Sequence, residues 1–312
     1  MGHATRCVPI IELLRKHNHL ILGVTALNVD YFNYHFPQLE KVDMPSYGIK
    51  YTRRIPIVLK VLLQLPRIFY VIKKEKRILD SIISLNRINL VISDNRYGCY
   101  SKQIESIFIT HQLNLQLPFF SAWVNKLHHK FIRRFHEIWV PDFKNVEDRL
   151  SGKLSEDFPE IKNRVTYIEP LSALQNLDLP EQPNKIPLLI LLSGPEPQRS
   201  ILESNLLLNK SLQHKQVVLV RGCSKTNKNL KEGFIVFDFV FGKKLAELIA
   251  QADRVVCRSG YSTLMDLHLL RKKNLVLIPT PGQTEQEYLA NFWQKKFQAN
   301  LCLQSQAKNF EF

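Results

Sequence analysis

The stretch that decides the fold reads Val255-Val-Cys-Arg-Ser-Gly-Tyr-Ser-Thr-Leu-Met-Asp266. It predicts a buried strand, then a glycine turn, then the start of a helix that carries hydroxyl groups and a carboxylate. A second apolar run at 275–278 leads into the polar loop Gly282-Gln-Thr-Glu-Gln286. Polar groups that follow neighbouring parallel strands gather at one edge of a sheet, where helix N-termini bind phosphate and an acid binds ribose hydroxyls. The stretch therefore predicts a pocket for a ligand that contains a nucleotide.

The segment from Thr263 to Asp266 also has a purely structural interpretation. In that interpretation Thr263 caps the helix and Asp266 bonds back to the backbone of the cap, which is a capping box. In the functional interpretation Asp266 accepts the ribose hydroxyls, while Ser262 and Thr263 meet phosphate oxygens. The loop from Gly282 to Gln286 favours the second interpretation, because it brings further polar groups to the same crevice.

Apolar runs alternate with helical patterns along the whole chain. In the first half they predict strands at 20–26, 90–93, 104–110 and 137–140, with helices at 8–17 and 125–135. In the second half they predict strands at 188–192, 217–220, 234–239, 254–257 and 275–278, with a helix at 198–208. We therefore predict two α/β domains, 1–170 and 186–312, each a parallel sheet covered by helices and joined by the proline-containing linker 171–185.

The charge is strongly positive, with 43 Lys and Arg against 28 Asp and Glu. Residues 1–168 hold 25 basic and 15 acidic side chains, hence +10 of the total of +15. This asymmetry suggests an anionic partner such as a membrane surface or a phosphorylated lipid, unless the charge only keeps the protein soluble. We expect no nucleic acid, because no module of interleaved aromatic and basic residues accompanies the charge.

The apolar segment 55–72 has basic residues on both sides. It contains too many polar residues to predict a membrane span. It predicts either a helix that lies in the headgroup region of an anionic bilayer or a helix that covers the sheet.

The five cysteines are scattered and form no Cys-x-x-Cys pair, which argues against a disulfide framework and against a zinc site. The first apolar run does not have the pattern of a signal peptide. We therefore expect a cytoplasmic protein, peripheral on the inner face of the membrane if the basic half binds lipid.

The second half of the chain carries a family resemblance. The segment Arg258 to Asp266, then Pro279 and Gln283-x-Glu285-Gln286-x-x-x-Ala290-Asn291, resembles the C-terminal domain of glycosyltransferase family 28, in the GT-B branch that includes MurG-type N-acetylglucosaminyltransferases. The resemblance implies two Rossmann-like doubly wound domains that face a cleft. It also implies a hexosyl-type glycosyltransferase of class EC 2.4, which transfers sugar from a nucleotide sugar, expected to be a UDP-sugar, to an acceptor. The basic first half would hold that acceptor, for which a lipid-linked molecule is one candidate, and no cofactor is implied.

The resemblance also assigns residues. It implies that Asp266 holds the ribose, that Gln286 with Glu287 holds the donor sugar, and that Ser193 with Gly194 forms a loop under the donor. Arg258 or Arg199 would stabilise the leaving diphosphate together with helix N-termini. The expected donor-binding set is Ser193, Gly194, Arg199, Arg258, Gly260, Ser262, Thr263, Asp266, Gln283, Glu285, Gln286 and Glu287.

The N-terminal segment Gly2-His3-Ala4-Thr5-Arg6-x-x-Pro9 resembles the end of the family's first glycine-rich loop. His3 is then the candidate base that takes a proton from the acceptor hydroxyl. A doubly wound domain places a central strand before such a loop, and only Met1 precedes Gly2, so we expect a first domain that lacks its first strand. Asp94, Arg96 and His111 follow predicted strands and are the candidate acceptor-side residues.

Two other functions remain open at the level of the sequence. A nucleotide-sugar 2-epimerase of the hydrolysing type shares this architecture and needs carboxylates near the sugar, which Glu285, Glu287 and Asp94 would supply. A non-catalytic nucleotide-sugar-binding pseudoenzyme is the other alternative. The sequence contains no Asp-x-Asp motif, so we expect no metal at the site.

Overall fold

The computed structural model describes residues 2–48, 57–117, 121–175, 177–179, 186–223 and 233–312, and for residues 2, 3 and 57–63 it describes the backbone alone. The chain divides into two compact units, Met1–Leu171 and Ser172–Phe312. In both units the described strands pair in parallel and alternate with helices. This confirms the predicted α/β class.

The first unit contains two parallel sheets. Its helices are α1 (Gly2–Leu14), α2 (Val29–His35), α3 (Ile57–Asn86) and α4 (Ser121–Ile132). Its strands are β1 (Ile21–Val24), β2 (Glu40–Asp43), β3 (Leu90–Asp94), β4 (Glu105–Ile109), β5 (Glu137–Val140) and β6 (Val165–Tyr167). β1 pairs with β2, and β3 to β6 form a second sheet in chain order. That the domain lacks a first strand stays a prediction.

The N-terminal segment differs from the expectation. Helix α1 already begins at Gly2, whereas the sequence pattern predicts a helix only from Val8. Residues 2–7, which resemble the end of a loop, are therefore the first turns of a helix. The sequence pattern also missed β2 and β6, because β2 has charged residues at three of its four positions and β6 has only three residues.

The described residues of the second unit form one parallel sheet of six strands. Its strands are β7 (Ile186–Leu191), β8 (Val217–Val220), β9 (Phe234–Phe237), β10 (Ala252–Cys257), β11 (Leu275–Leu277) and β12 (Asn300–Leu301). Its helices are α5 (Gln198–Leu207), α6 (Gly242–Gln251), α7 (Tyr261–Leu269) and α8 (Thr284–Phe297). The strand order is β12-β11-β10-β7-β8-β9, which is the order of a doubly wound fold.

This order positions the candidate site. The apolar strands β7, β8, β10 and β11 are almost wholly buried, as expected for a parallel sheet with both faces covered. The strand order reverses between β7 and β10, and Cys257 at the end of β10 lies opposite Leu191 of β7 and Leu277 of β11. The loops that follow these three strands therefore emerge side by side at the switch point, where doubly wound proteins bind ligands.

Candidate functional site

Three loops form the candidate site in the second unit. They follow β7, β10 and β11 and carry the predicted donor-binding residues, from Ser193 and Gly194 to the loop before α8. A hydrogen bond joins the loop after β10 to the first turn of α8, since Ser259 Oγ donates to the carbonyl oxygen of Gln286 at 2.8 Å. A second approach is steric, because a Cβ added at Gly194, which has a φ of +103°, would lie 3.6 Å from Thr280 Oγ1. The loops predicted to converge are thus in contact.

Asp266 lies inside α7 and does not cap it. The helix begins at Tyr261, and the N-cap residue is Gly260, which makes no side-chain cap bond. Asp266 is therefore in the second turn of the helix, too far along to bond back to the cap, and the capping-box interpretation with Thr263 as cap is wrong. Its Oδ1 accepts a hydrogen bond from Ser172 Oγ, a residue that the sequence placed in the linker.

Burial changes the acidity of this carboxyl group. It raises the pKa of Asp266 from 3.8 to about 7, although the bond from Ser172 acts in the opposite direction. A carboxyl with such a pKa exchanges its proton near neutral pH, and strongly shifted groups cluster at functional sites. A ligand that donates hydrogen bonds to Asp266 would stabilise its charged form.

The start of α7 is open to an anion. Gly260 has no side chain, and a Cβ added there would meet no atom within 4 Å in the described part of the chain. Ser262 and Thr263 follow in the first turn and are partly exposed. A helix N-terminus of this kind attracts negative charge through its backbone N–H groups and the helix dipole.

The loop after β11 is held by two side chains from α8. Gln286 Oε1 accepts a bond from the backbone N of Thr280 at 2.9 Å. Glu287 Oε1 accepts a bond from the backbone N of Gly282 at the same distance, 2.9 Å. Gln283 is the residue before the helix, and Glu285 lies in its first turn. The residues predicted to hold the donor sugar thus also fix the loop that carries them.

The two arginines predicted to stabilise the diphosphate bind other groups of the protein. Arg258 is only 1% exposed, and its guanidinium donates to the carbonyls of Ile278 and Pro279, each at 3.1 Å. Burial lowers its pKa to about 10. Arg199 is also buried and pairs with Glu196 and Glu203. Both guanidiniums therefore have partners without any bound phosphate.

The start of α5 already holds a carboxylate. Glu196 accepts bonds from Arg199 Nε at 2.7 Å and from Ser200 N at 3.3 Å. Burial alone would raise the pKa of Glu196, but the bonds from Ser200 and Arg199 lower it. A phosphate beside Ser193 and Gly194 would meet this negative charge, so the start of α7 is the better anion position of the two.

The candidate acceptor-side residues lie in the first unit and separate into two clusters. Arg6 of α1 binds both carboxylate oxygens of Asp94, and its Nη1 donates to His111 Nδ1 at 3.1 Å. Because a guanidinium only donates, that nitrogen of His111 is the acceptor. Arg96 instead pairs with the buried Glu75 at 2.9 Å. The side chain of His3 lies outside the described residues.

Sequence patterns gave no sign of several partners in these networks. Ser172, Gln198 and Gln304 are buried and contact Asp266 or Arg258, yet none stands beside its partner in the sequence. Arg6 was visible in the N-terminal motif, but its pairing with Asp94 spans 88 residues. Such contacts depend on the fold and cannot be read from local spacing.

Two further features concern metal binding and membrane insertion in the part of the chain that the structure describes. No cluster of three or more His, Cys, Asp or Glu side chains there has the arrangement of a metal site. No helix there is both long enough and apolar enough to cross a membrane.

Comparison with known proteins adds a family and a fold. Residues 197–311 match the model of the glycosyltransferase family 28 C-terminal domain. No curated protein matches the sequence. The solved structures that are similar include the spinosyn rhamnosyltransferase SpnG complexed with thymidine diphosphate, with a TM-score of 0.65 at 12% identity over 98% of this chain and 85% of that one.

Two further structures show the same architecture. Arabidopsis thaliana UGT89C1 complexed with UDP-L-rhamnose has a TM-score of 0.57 at 10% identity, over 95% of this chain and 80% of that one. Acinetobacter baumannii MurG has a TM-score of 0.55 at 12% identity, over 97% of this chain and 82% of that one. At these identities the likeness concerns the fold.

Proposed function

From its GT-B fold and the family 28 C-terminal domain in its second unit, we propose that this protein is a glycosyltransferase that moves a sugar from a nucleotide-sugar donor to an acceptor. The observation that carries the proposal is Asp266, a largely buried carboxyl one turn beyond the uncapped start of α7. A cap would explain such an acid without any ligand, and the position of Asp266 in the helix removes that explanation.

The donor's nucleoside diphosphate fits Asp266 and the start of α7. Ribose hydroxyls would donate to the carboxylate of Asp266, and the phosphates would accept from the start of α7, where Gly260, Ser262 and Thr263 lie. The nucleotides in the similar structures are thymidine diphosphate and a UDP-sugar, both pyrimidine nucleoside diphosphates. We propose UDP for this chain, as the family resemblance implies.

The donor's sugar would lie against the loop after β11. Gln286 uses its side-chain oxygen to hold the loop, so the sugar would meet its amide nitrogen, a hydrogen-bond donor for sugar oxygens. Glu287 would accept from sugar hydroxyls through the carboxylate oxygen that does not bind Gly282. Gln283 and Glu285 are the neighbouring polar side chains on the same loop and helix turn.

The proposed reaction needs no redox chemistry. An acceptor hydroxyl attacks the anomeric carbon, the bond from that carbon to the diphosphate oxygen breaks, and the nucleoside diphosphate leaves with the bonding electrons. The start of α7 stabilises the charge that develops on the diphosphate, so we propose a metal-independent reaction. His3 remains our candidate for the base that takes the hydroxyl proton, with Asp94, Arg96 and His111 on the acceptor side.

We further propose that the acceptor is at or near an anionic membrane. The predicted interfacial segment 55–72 lies largely outside the described side chains, but the following turns of α3 support the proposal. Tyr70 is 64% exposed, and Lys73, Lys74 and Arg77 are exposed on the same stretch of helix. An aromatic ring beside several cations suits the headgroup region of an anionic bilayer, and the five free cysteines suit its cytoplasmic face.

Thermal unfolding with a panel of UDP, GDP, thymidine diphosphate and their sugars tests the donor assignment. A nucleotide at 100 times its Kd should add about 2.7 kcal/mol of stability. Asp266→Ala should abolish the shift, whereas Asp253→Ala, which removes an exposed carboxylate of β10, should keep it. An equal shift in Asp266→Ala would overturn the ribose assignment.

Two more assays separate the remaining alternatives. Epimer formation from UDP-N-acetylglucosamine without acceptor would identify a hydrolysing epimerase, and binding without any turnover of donor would identify a pseudoenzyme.

The membrane proposal has its own assay. Co-sedimentation with phosphatidylglycerol vesicles should fall when Lys73, Lys74 and Arg77 are changed to Glu. The matched change of exposed Lys243 and Lys244 should leave it unchanged, and equal loss in both variants would contradict a specific face.

A further inference from the structure

We propose that Gln304 is a positioning residue for donor binding, because it holds Arg258 in the orientation that fastens the three donor loops to one another. The proposal rests on the proposed function. Gln304 follows β12, outside every donor motif, and is buried with 6% of its surface exposed. It acts through Arg258 and need not touch the donor.

The guanidinium of Arg258 stands at the centre of four segments. Its Nη1 donates to the carbonyls of Ile278 and Pro279, which begin the loop after β11, each at 3.1 Å. Its Nη2 donates to the carbonyl of Gln198 at the start of α5 at 2.9 Å, and to Gln304 Oε1 at 2.5 Å. Arg258 itself belongs to the loop after β10. One side chain thus ties together the loops after β7, β10 and β11.

Gln304 is the side chain that sets this arrangement. Three of the four acceptors are backbone carbonyls, and the fourth is the amide oxygen of Gln304. The amide nitrogen of Gln304 donates to Gln198 Oε1 at 2.8 Å, which fixes which end of the amide faces Arg258. Its backbone oxygen accepts from Asn205 Nδ2 of α5 at 3.0 Å. Gln304 is therefore held from both sides and presents its oxygen to the guanidinium.

The effect reaches the donor-binding residues through a short path. Ile278 and Pro279 directly precede Thr280, whose backbone N bonds to Gln286. Thr280 is fully buried, and its hydroxyl has no partner in the described part of the chain, so this hydroxyl adds no bond that would hold the loop. If Arg258 turns away, the carbonyls before Thr280 lose their donor, and the loop that orients Gln286 and Glu287 loosens. A buried polar group without its partner costs enough to drive such a rearrangement.

Two substitutions at Gln304 separate positioning from mere packing. Gln304→Leu keeps the volume but removes both hydrogen bonds, whereas Gln304→Glu keeps an acceptor for Arg258 and loses the donor to Gln198. Gln306→Leu is the matched control, because Gln306 is an exposed glutamine in the same segment. For each variant we would measure the Kd for UDP and thymidine diphosphate by calorimetry. Hydrogen exchange of peptides that cover 278–287 would be measured without ligand.

We expect Gln304→Leu to weaken nucleotide binding about tenfold and to speed exchange in 278–287, and we expect Gln304→Glu to restore most of both. Wild-type values for Gln304→Leu, or equal losses in Gln304→Leu and Gln304→Glu, would overturn the proposal. If the wild type binds neither nucleotide, the proposed function fails. Hydrogen exchange of Gln304→Leu still tests the positioning role of Gln304. Faster exchange in 278–287 supports that role, and unchanged exchange refutes it.

Discussion

Replacing Asp266 by Asn should make the unliganded protein more stable at neutral pH while it weakens nucleotide binding. Burial raises the pKa of this carboxyl from 3.8 to about 7, so the folded state holds a proton that the unfolded state releases between those values. The folded form is therefore favoured at low pH, and this stability is lost as the pH rises through 7. The substituted amide carries no charge and still offers an oxygen to Ser172.

The size of the effect follows from the same two pKa values. Each pH unit between them is worth about 1.4 kcal/mol, which gives at most about 4 kcal/mol at pH 8. Solvent screening of a partly exposed carboxyl reduces this to about 2 kcal/mol, or a melting temperature higher by about 6 °C for a unit of this size. At pH 4 the two proteins should differ by less than about 1 kcal/mol.

Thermal unfolding of the two proteins from pH 4 to pH 8.5, at constant ionic strength, measures this difference. Asp253→Asn serves as the control, because Asp253 is exposed on β10. The difference in stability between this variant and the wild type should not grow with pH. The reasoning is refuted if the difference between Asp266→Asn and the wild type stays constant over this range, or if the variant is the less stable protein at pH 8.

Three other predictions concern Asp266, Gly194 and Thr263 of the candidate site. If the nucleotide binds only the charged form of Asp266, its Kd at pH 5 should be about 100-fold weaker than at pH 8, and calorimetry across that range should find no dependence in Asp266→Asn. Gly194→Ala should destabilise the protein by about 1 to 2 kcal/mol in urea unfolding, because its φ of +103° strains any side chain, and a neutral result would contradict the backbone assignment. Thr263→Ala should change stability by less than about 0.5 kcal/mol in the same assay, since Thr263 does not cap α7, whereas a loss of about 1 kcal/mol would reinstate the capping box.

The sequence predicted the architecture of the second unit well because four of its strands, β7, β8, β10 and β11, are largely buried. Such strands are continuous apolar runs, and the run before Arg258 ends where the structure ends β10, at Cys257. The convergence of the loops at the switch point followed from parallel pairing alone. Polar or very short strands such as β2 lack this signal and were missed.

The roles of single side chains were harder to predict. An arginine beside a glycine turn suggests an anion, but Nη1 and Nη2 of Arg258 donate to carbonyls and to Gln304, which is 46 residues away. Asp266 owes its raised pKa to burial, and the bond that opposes this shift comes from Ser172, 94 residues away. Residue type and spacing describe what a side chain offers, whereas its partner depends on contacts between distant segments.

The buried guanidinium of Arg258 also sets the timing of assembly during synthesis. A chain emerges from the ribosome with its N-terminal part first, so β7 to β11 become available for pairing before Gln304 has emerged. Until then Arg258 has three carbonyl partners but lacks the amide that fixes its orientation. The nascent sheet can therefore form early, while the loops that we propose bind the donor reach their final geometry only once the segment after β12 has emerged and docked.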